Sequence, residues 1–200
     1  MQASYFTRHP KMRDGLNFVI FVVLVLVGTL FINTFVFRSF NVSGHSMEDT
    51  LQDGDRLIVD RLPVTLAHLQ NKPYVPSRGD IIIFKNPQYT AGSPDEYIVK
   101  RVVAFPGERV TVHDGVLMVY NGEFPGGFEP DKLDVHGQPL SPTSGEVDTT
   151  VANNSIFVAG DNRIGNNSCD SRSCLGLIPL YDIIGPVGLR IWPLNNMTTL

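Results

Sequence analysis

From Gly15 to Phe37 the chain reads GLNFVIFVVLVLVGTLFINTFVF, 23 residues without a charge. At about 1.5 Å per residue, a helix of that length crosses a hydrocarbon core of roughly 30 Å. A cleaved secretory signal is one alternative, but its apolar region usually runs only about 7 to 15 residues. The sequence that follows, RSFNVSG, also offers no small-x-small cleavage site. A buried core helix is the other alternative, and the length favours a transmembrane anchor over residues 15–37. Arg8, Lys11 and Arg13 precede the run with only Asp14 opposing them, so the first fifteen residues carry +2 of a net −4, leaving −6 for the rest. The positive flank predicts a cytoplasmic N-terminal segment, 1–14, and a single-pass topology. Residues 38–200 then form an extracytoplasmic domain on the outer face of the cytoplasmic (inner) membrane, in contact with membrane lipid.

An acidic, exported domain argues against nucleic acid as a partner. Its periodicity is that of strands. DRLIVDRL (55–62), GDIIIFK (79–85), EYIVKRVVAF (96–105), RVTVHDGVLMVYNGEF (109–124), NSIFVAGD (154–161) and DIIGPVGLRIW (182–192) are short β-branched or aromatic runs. Asp114-Gly115 and Asn121-Gly122 supply turn chemistry between them. The predicted class is mostly β. The stretch 124–154 is rich in Pro, Gly and Ser, and reads as an irregular excursion from the core rather than a domain of its own.

The segment SGHSMEDTLQDGD, 43–55, presents Ser46 as a candidate nucleophile. A serine hydroxyl needs a base to take its proton and donors to stabilise the oxyanion. His45 is adjacent in sequence, but neighbouring side chains of an extended chain point to opposite faces. His68, His113 and His136 stand in loop or turn contexts without an evident orienting aspartate. Lys100 remains. In EYIVKRVVAF, alternation puts Ile98, Lys100 and Val102 on one face and Val99, Arg101 and Val103 on the other. Burial disfavours the ammonium form, and a shift of about 3 units from roughly 10.4 would make the amine a usable base near neutrality. Taken alone, the segment favours a lysine on the solvated face of a half-buried strand.

Four blocks in order settle the weight of that segment. SGHSMEDTL (43–51), RGDIIIF (78–84), YIVKRVVAFPGE (97–108) and GDNRIGNNSCDSR (160–172), behind an N-terminal span, resemble the blocks of the type I signal peptidases of bacteria. The resemblance runs from the anchor to about residue 190. It implies a twisted antiparallel β-sheet catalytic domain and a Ser/Lys endopeptidase that cleaves exported preproteins after small-x-small motifs. Ser46 would be the nucleophile and Lys100 the base that later protonates the leaving amine. Ser168 would hydrogen-bond the Lys100 amine, with Asp161, Asp170 and Arg172 as the polar scaffold behind it. No cofactor and no metal are called for, and the oligomeric state is left undefined.

Asp49 and a lengthened segment depart from the family pattern, and Gly44 bears on the oxyanion hole. Asp49 stands where proline is usual, so the turn after Ser46 loses a fixed φ that an Asx-type bond could replace. Four residues, Ile164 to Asn167, separate Arg163 from Ser168, where two are usual. Gly44 stands where some members carry a serine whose hydroxyl serves the oxyanion hole, so the Ser46 N–H, with another backbone group or Ser43, must supply the donors. An extended substrate pairing with a strand edge is the expected recognition mode. Met47, Ile98 and Val99 are expected to line shallow pockets, with a core role as the alternative for each.

Cys169 and Cys174 bracket Asp170, Ser171 and Arg172 in a compartment that permits disulfides. Four intervening residues can bring the Cα atoms within the roughly 4.4 to 6.8 Å that the bond allows, so a disulfide is predicted. Its alternative is a pair of free or metal-binding thiols, although a structural zinc site would want nearby histidines. Other function classes are an inactive anchored β-domain that binds partners, a self-cleaving Ser/Lys protease, and a Ser/His/Asp hydrolase. The last requires histidine where Lys100 stands.

Overall fold

The computed structural model describes residues 10–132, 139 and 142–200; Arg8 and His136 lie outside the described residues, as does most of the segment 1–14. Helix α1, Pro10–Phe31, continues as one wide π-turn, Ile32–Val36, and Phe37 begins the first strand. The apolar helix thus ends a few residues before the last residue of the uncharged run. Its side chains are exposed all round, Phe18 and Leu30 at 67%. None of the described residues covers this surface, and Lys11–Val36 is long and apolar enough to cross a membrane.

The rest is mostly β, as the alternation predicts. In chain order the strands are β1 Phe37–Asn41, β2 Arg56–Asp60, β3 Ile81–Lys85, β4 Tyr97–Ala104, β5 Arg109–His113, β6 Val116–Tyr120, β7 Val147–Thr150, β8 Ser155–Ala159, β9 Ile178–Pro179, β10 Ile183–Trp192 and β11 Thr198–Thr199. A short helix, α2, spans Leu62–Leu69 between β2 and β3. The large sheet runs β1-β2-β10-β3-β4-β8-β9, with β11 on β10, and a second sheet runs β6-β5-β7. Every pairing is antiparallel. Register shifts in β10 and in β4 mark bulges, which bend a strand and deepen its twist, and so let the large sheet curl.

Three apolar clusters fill the curl. One joins Ile82, Phe84, Val102, Ile156 and Val158; a second joins Val103, Val110, Val119 and Phe157; a third joins Met47, Leu51, Leu57, Val59 and Ile83. Strand β4 has buried residues on both faces from Lys100 to Ala104, because it is central in the sheet. Its N-terminal half is different. β8 pairs only with Arg101–Ala104, leaving Tyr97–Lys100 with a strand partner on the β3 side alone.

The excursion at 124–154 is less irregular than its composition predicts. Val147–Thr150 pairs with Arg109–Val112 as β7, and Val119 bridges Phe128. The Pro/Gly-rich portion hides this strand because alternate residues, Asp148 and Thr150, face solvent and leave only Val147 and Val151 as apolar cues. Asp131, in a single 3₁₀ turn at Pro130–Lys132, pairs with the fully buried Arg163, so the excursion is fastened to the segment 160–172.

Candidate active site

Ser46 sits in a turn that follows β1, and the turn is held from both ends. Gly44 adopts φ +90°, a conformation that favours glycine, and its N–H donates to Asp53 Oδ1 at 2.8 Å. The N–H groups of Thr50 and Leu51 both donate to the Met47 carbonyl, at 3.0 and 2.8 Å. Between these points Asp49 has φ +82°. Proline cannot adopt that angle, so the turn is built on a left-handed residue, and no Asx-type bond from Asp49 holds it among the described residues.

Lys100 reaches this turn from β4. Its amine donates to Ser46 Oγ at 2.7 Å and to the Val99 carbonyl at 2.9 Å, with the residue 3% exposed. Burial pulls its pKa down from 10.5 to about 8, against the upward pull of the Asp170 and Asp161 carboxylates. A measurable fraction, about one amine in ten at pH 7, is then neutral and able to accept a proton. His45 turns away. Its Nδ1 lies 2.6 Å from Glu48 Oε1, and the ring is mostly exposed. His68 stacks on Tyr181, and His113 pairs with Asp114 and Glu146 on the surface.

Behind the lysine lie two buried ion pairs. Arg101, on the opposite face of β4, grips Asp161 with Nε to Oδ1 at 2.8 Å and Nη2 to Oδ2 at 2.6 Å. The Thr50 hydroxyl donates to Asp161 at 2.6 Å, which ties the turn carrying Ser46 to β4 and the segment 160–172 at one carboxylate. Arg172 holds Asp170, whose Oδ2 also accepts the Gly160 N–H at 2.8 Å. Burial pushes the Asp170 carboxyl up, but Arg172 and the Gly160 N–H outweigh it and hold the group below the usual carboxylate range.

Ser168 is brought to this scaffold but not bonded to Lys100. Its Oγ is buried and leans toward the Asp170 carboxylate without completing a hydrogen bond of normal geometry. It packs on Gly160, where an added Cβ would come within 2.2 Å of Ser168 Oγ and 2.3 Å of the Ser46 carbonyl. Gly160 is therefore the point at which the segment 160–172 closes on the turn carrying Ser46, and no larger residue fits there.

A cleft of about 710 Å³ opens beside the pair, lined by Ser43, Gly44, Ile98, Val99, Asn167 and Leu175 among others. Ile98 and Val99 line this cleft, and each also packs against an apolar cluster of the core. Met47 does not line the cleft. It is 1% exposed and belongs to the apolar cluster with Leu51, Leu57 and Ile83, because the turn that presents Ser46 points the next side chain into the core. Of the expected oxyanion donors, the Gly44 N–H is already committed to Asp53, Ser43 lines the cleft, and the Ser46 N–H has no acceptor among the described residues. A disulfide joins Cys169 and Cys174, with Cα atoms 5.3 Å apart, and Cys169 lines the cleft.

The sequence reading passed over Arg101, Asn162 and Arg163. Arg101 had a signal, since the alternation that turns Lys100 to one buried face turns Arg101 to the other, where a guanidinium demands an acid.

The sequence model of the family described as "Signal peptidase, peptidase S26" matches residues 15–192. Signal peptidase I of Bacillus caldolyticus is 34% identical over 194 residues, covering 93% of this chain and 95% of that protein. Signal peptidase I of Leptolyngbya laminosa is 33% identical over 185 residues, covering 88% and 79%. An inactive signal peptidase IA of Staphylococcus aureus is 28% identical over 189 residues, covering 94% and 97%.

Proposed function

The chain belongs to the signal peptidase family, peptidase S26, and from that membership we propose that it is a Ser/Lys endopeptidase working at the outer face of the cytoplasmic membrane. Family membership makes it a serine endopeptidase that removes signal peptides from exported preproteins.

Ser46 Oγ gives its proton to the neutral Lys100 amine as it attacks the scissile carbonyl. The ammonium so formed returns the proton to the departing amine, and water, activated by the same lysine, releases the acyl group from Ser46. The single observation that carries this reading is the 2.7 Å contact between the buried Lys100 Nζ and the half-buried Ser46 Oγ at the floor of the cleft. Arg101–Asp161 and Asp170–Arg172 hold the base and the nucleophile turn in register, with Ser168 packed between them.

The substrate lies extended in the cleft and pairs with the open edge of β4 at Tyr97–Val99, which has a strand on only one side. Ile98 and Val99 narrow the cleft near the dyad, which suits small side chains before the scissile bond. Helix α1 anchors the chain with residues 1–14 in the cytoplasm and 38–200 outside, so the dyad meets preproteins as they emerge. Membrane lipid surrounds the helix.

A relative lacking activity makes a non-catalytic binding domain the second reading. The paired Ser46 and Lys100 favour the enzyme. Purified chain in detergent, incubated with one preprotein and followed by mass mapping, separates the two: one cut after a small-x-small motif supports the proposal, and an uncut preprotein overturns it.

A further inference from the structure

We infer that Asn162 is a positioning residue that aims and polarises the oxyanion donor of Ser46. The inference rests on Ser46 being the nucleophile. Asn162 follows Asp161 directly, so the Arg101–Asp161 pair fixes where its backbone lies. Its N–H donates to the Ser46 carbonyl at 3.1 Å. Its side-chain Nδ2 donates to the His45 carbonyl at 3.1 Å and to Glu48 Oε2 at 3.3 Å. A carbonyl and a carboxylate only accept, so this end of the amide is the nitrogen. The oxygen end accepts from Asn167 Nδ2 at 3.2 Å.

The His45 carbonyl and the Ser46 N–H belong to one peptide group. In a planar trans peptide they point in opposite directions, so a donor fixed on the carbonyl fixes the direction of the N–H. It also polarises the group, since a carbonyl that accepts a hydrogen bond makes its own N–H a better donor. The Glu48 N–H adds a second bond to the same carbonyl at 3.2 Å. On the other side the Ser46 N–H has no acceptor among the described residues, while Gly44, the neighbouring candidate, has spent its N–H on Asp53. Asn162 therefore holds the two peptides flanking Ser46, one through its backbone and one through its side chain. Neither bond touches Lys100, so the role is separable from proton transfer.

The test uses the full chain in detergent and two peptide ligands of one sequence. One ends in an aldehyde, whose carbon takes Ser46 Oγ and whose oxygen takes up the charge; the other ends in the corresponding alcohol, which forms no oxyanion. Asn162→Ala is expected to lower kcat/KM about 10-fold, less than the roughly 10²- to 10³-fold lost with a direct donor. Aldehyde affinity falls by the same factor, alcohol affinity stays within about 2-fold, and the inflection of the pH profile does not move. Asn162→Asp keeps the size and the acceptor for Asn167 but loses the Nδ2 donor, so it gives at least the same loss and serves if the alanine variant folds poorly. Unchanged aldehyde affinity in a folded variant, or equal weakening of both ligands, overturns the inference. Ser46→Ala separates it from the reading beneath: persisting preference for the aldehyde in that variant removes Ser46 as nucleophile, whatever Asn162 does.

Discussion

The amine of Lys100 and the hydroxyl of Ser46 stand 2.7 Å apart although 54 residues separate them in the chain. What brings them together is the curl of the sheet, which lays the turn after β1 against the central strand β4. Because the same curl buries the lysine, its pKa lies at about 8. In the proposed mechanism the neutral amine is the reactive form, so kcat/KM is expected to rise about tenfold per pH unit below that value and to level off above it. A profile from pH 5 to 10 checks this. Activity that climbs as pH falls below 6 excludes an amine base.

Burying that base costs stability, with a definite sign. The folded pKa is about 8 against 10.5 unfolded, so below pH 8 both states are protonated and the full penalty, about 3 kcal/mol, is present. Between pH 8 and 10.5 the unfolded chain holds more protons and stability rises with pH. Lys100→Met is therefore expected to be more stable than the natural chain at pH 7, with the advantage shrinking across that window. Denaturant unfolding at pH 7 and pH 10 measures it, and a difference independent of pH contradicts the account.

Asp49 occupies a left-handed conformation at φ +82°, which costs an L-residue about 1 to 2 kcal/mol. Asp49→Gly relieves the strain, and a gain of roughly 1 kcal/mol in unfolding free energy with retained activity is expected. Asp49→Pro, which restores the residue usual in the family, forces φ near −65° and is expected to lower stability and cleavage together. Wild-type behaviour of the proline variant would show that the turn is built otherwise.

The Cys169–Cys174 bridge closes a six-residue loop around Asp170 and Arg172, and Gln88, in the β3–β4 connection, donates to the Cys174 carbonyl. By loop entropy such a ring contributes about 2 kcal/mol, concentrated in a segment that forms one wall of the cleft. Cys174→Ser is expected to lower activity several-fold, and non-reducing peptide mapping tests the bond itself. Unchanged activity in the variant removes the supporting role even where the bond is found.

Much of this fold was legible because half-buried strands write their burial as alternation, and six such runs match strands to within a few residues. The alternation placed Lys100 on one face of its strand, and the resemblance of the four blocks, not the alternation, singled it out as the base. What escaped was short or shared. β1 follows the anchor without a polar break, α2 is only eight residues with Pro63 at its start as its signal, and β7 lies in a Pro/Gly-rich stretch. Ser168 and Met47 escaped on geometry alone. Whether a hydroxyl bonds an amine or leans on an aspartate, and which way a side chain leaves a turn, depends on packing across the sheet. Asn162 escaped because its work is done on backbone carbonyls, which no sequence pattern marks.

The central claim is that Lys100 serves as the base for Ser46. Its most direct test is the rate of preprotein cleavage by Lys100→Arg, compared with Ser46→Ala, His45→Ala and the natural chain under one set of conditions. Arginine keeps length and charge but stays protonated at every working pH. The account predicts no detectable product from Lys100→Arg or Ser46→Ala in chains that retain their fold, and substantial product from His45→Ala. Cleavage by Lys100→Arg near the natural rate, or a His45→Ala variant as inert as Ser46→Ala, would contradict it.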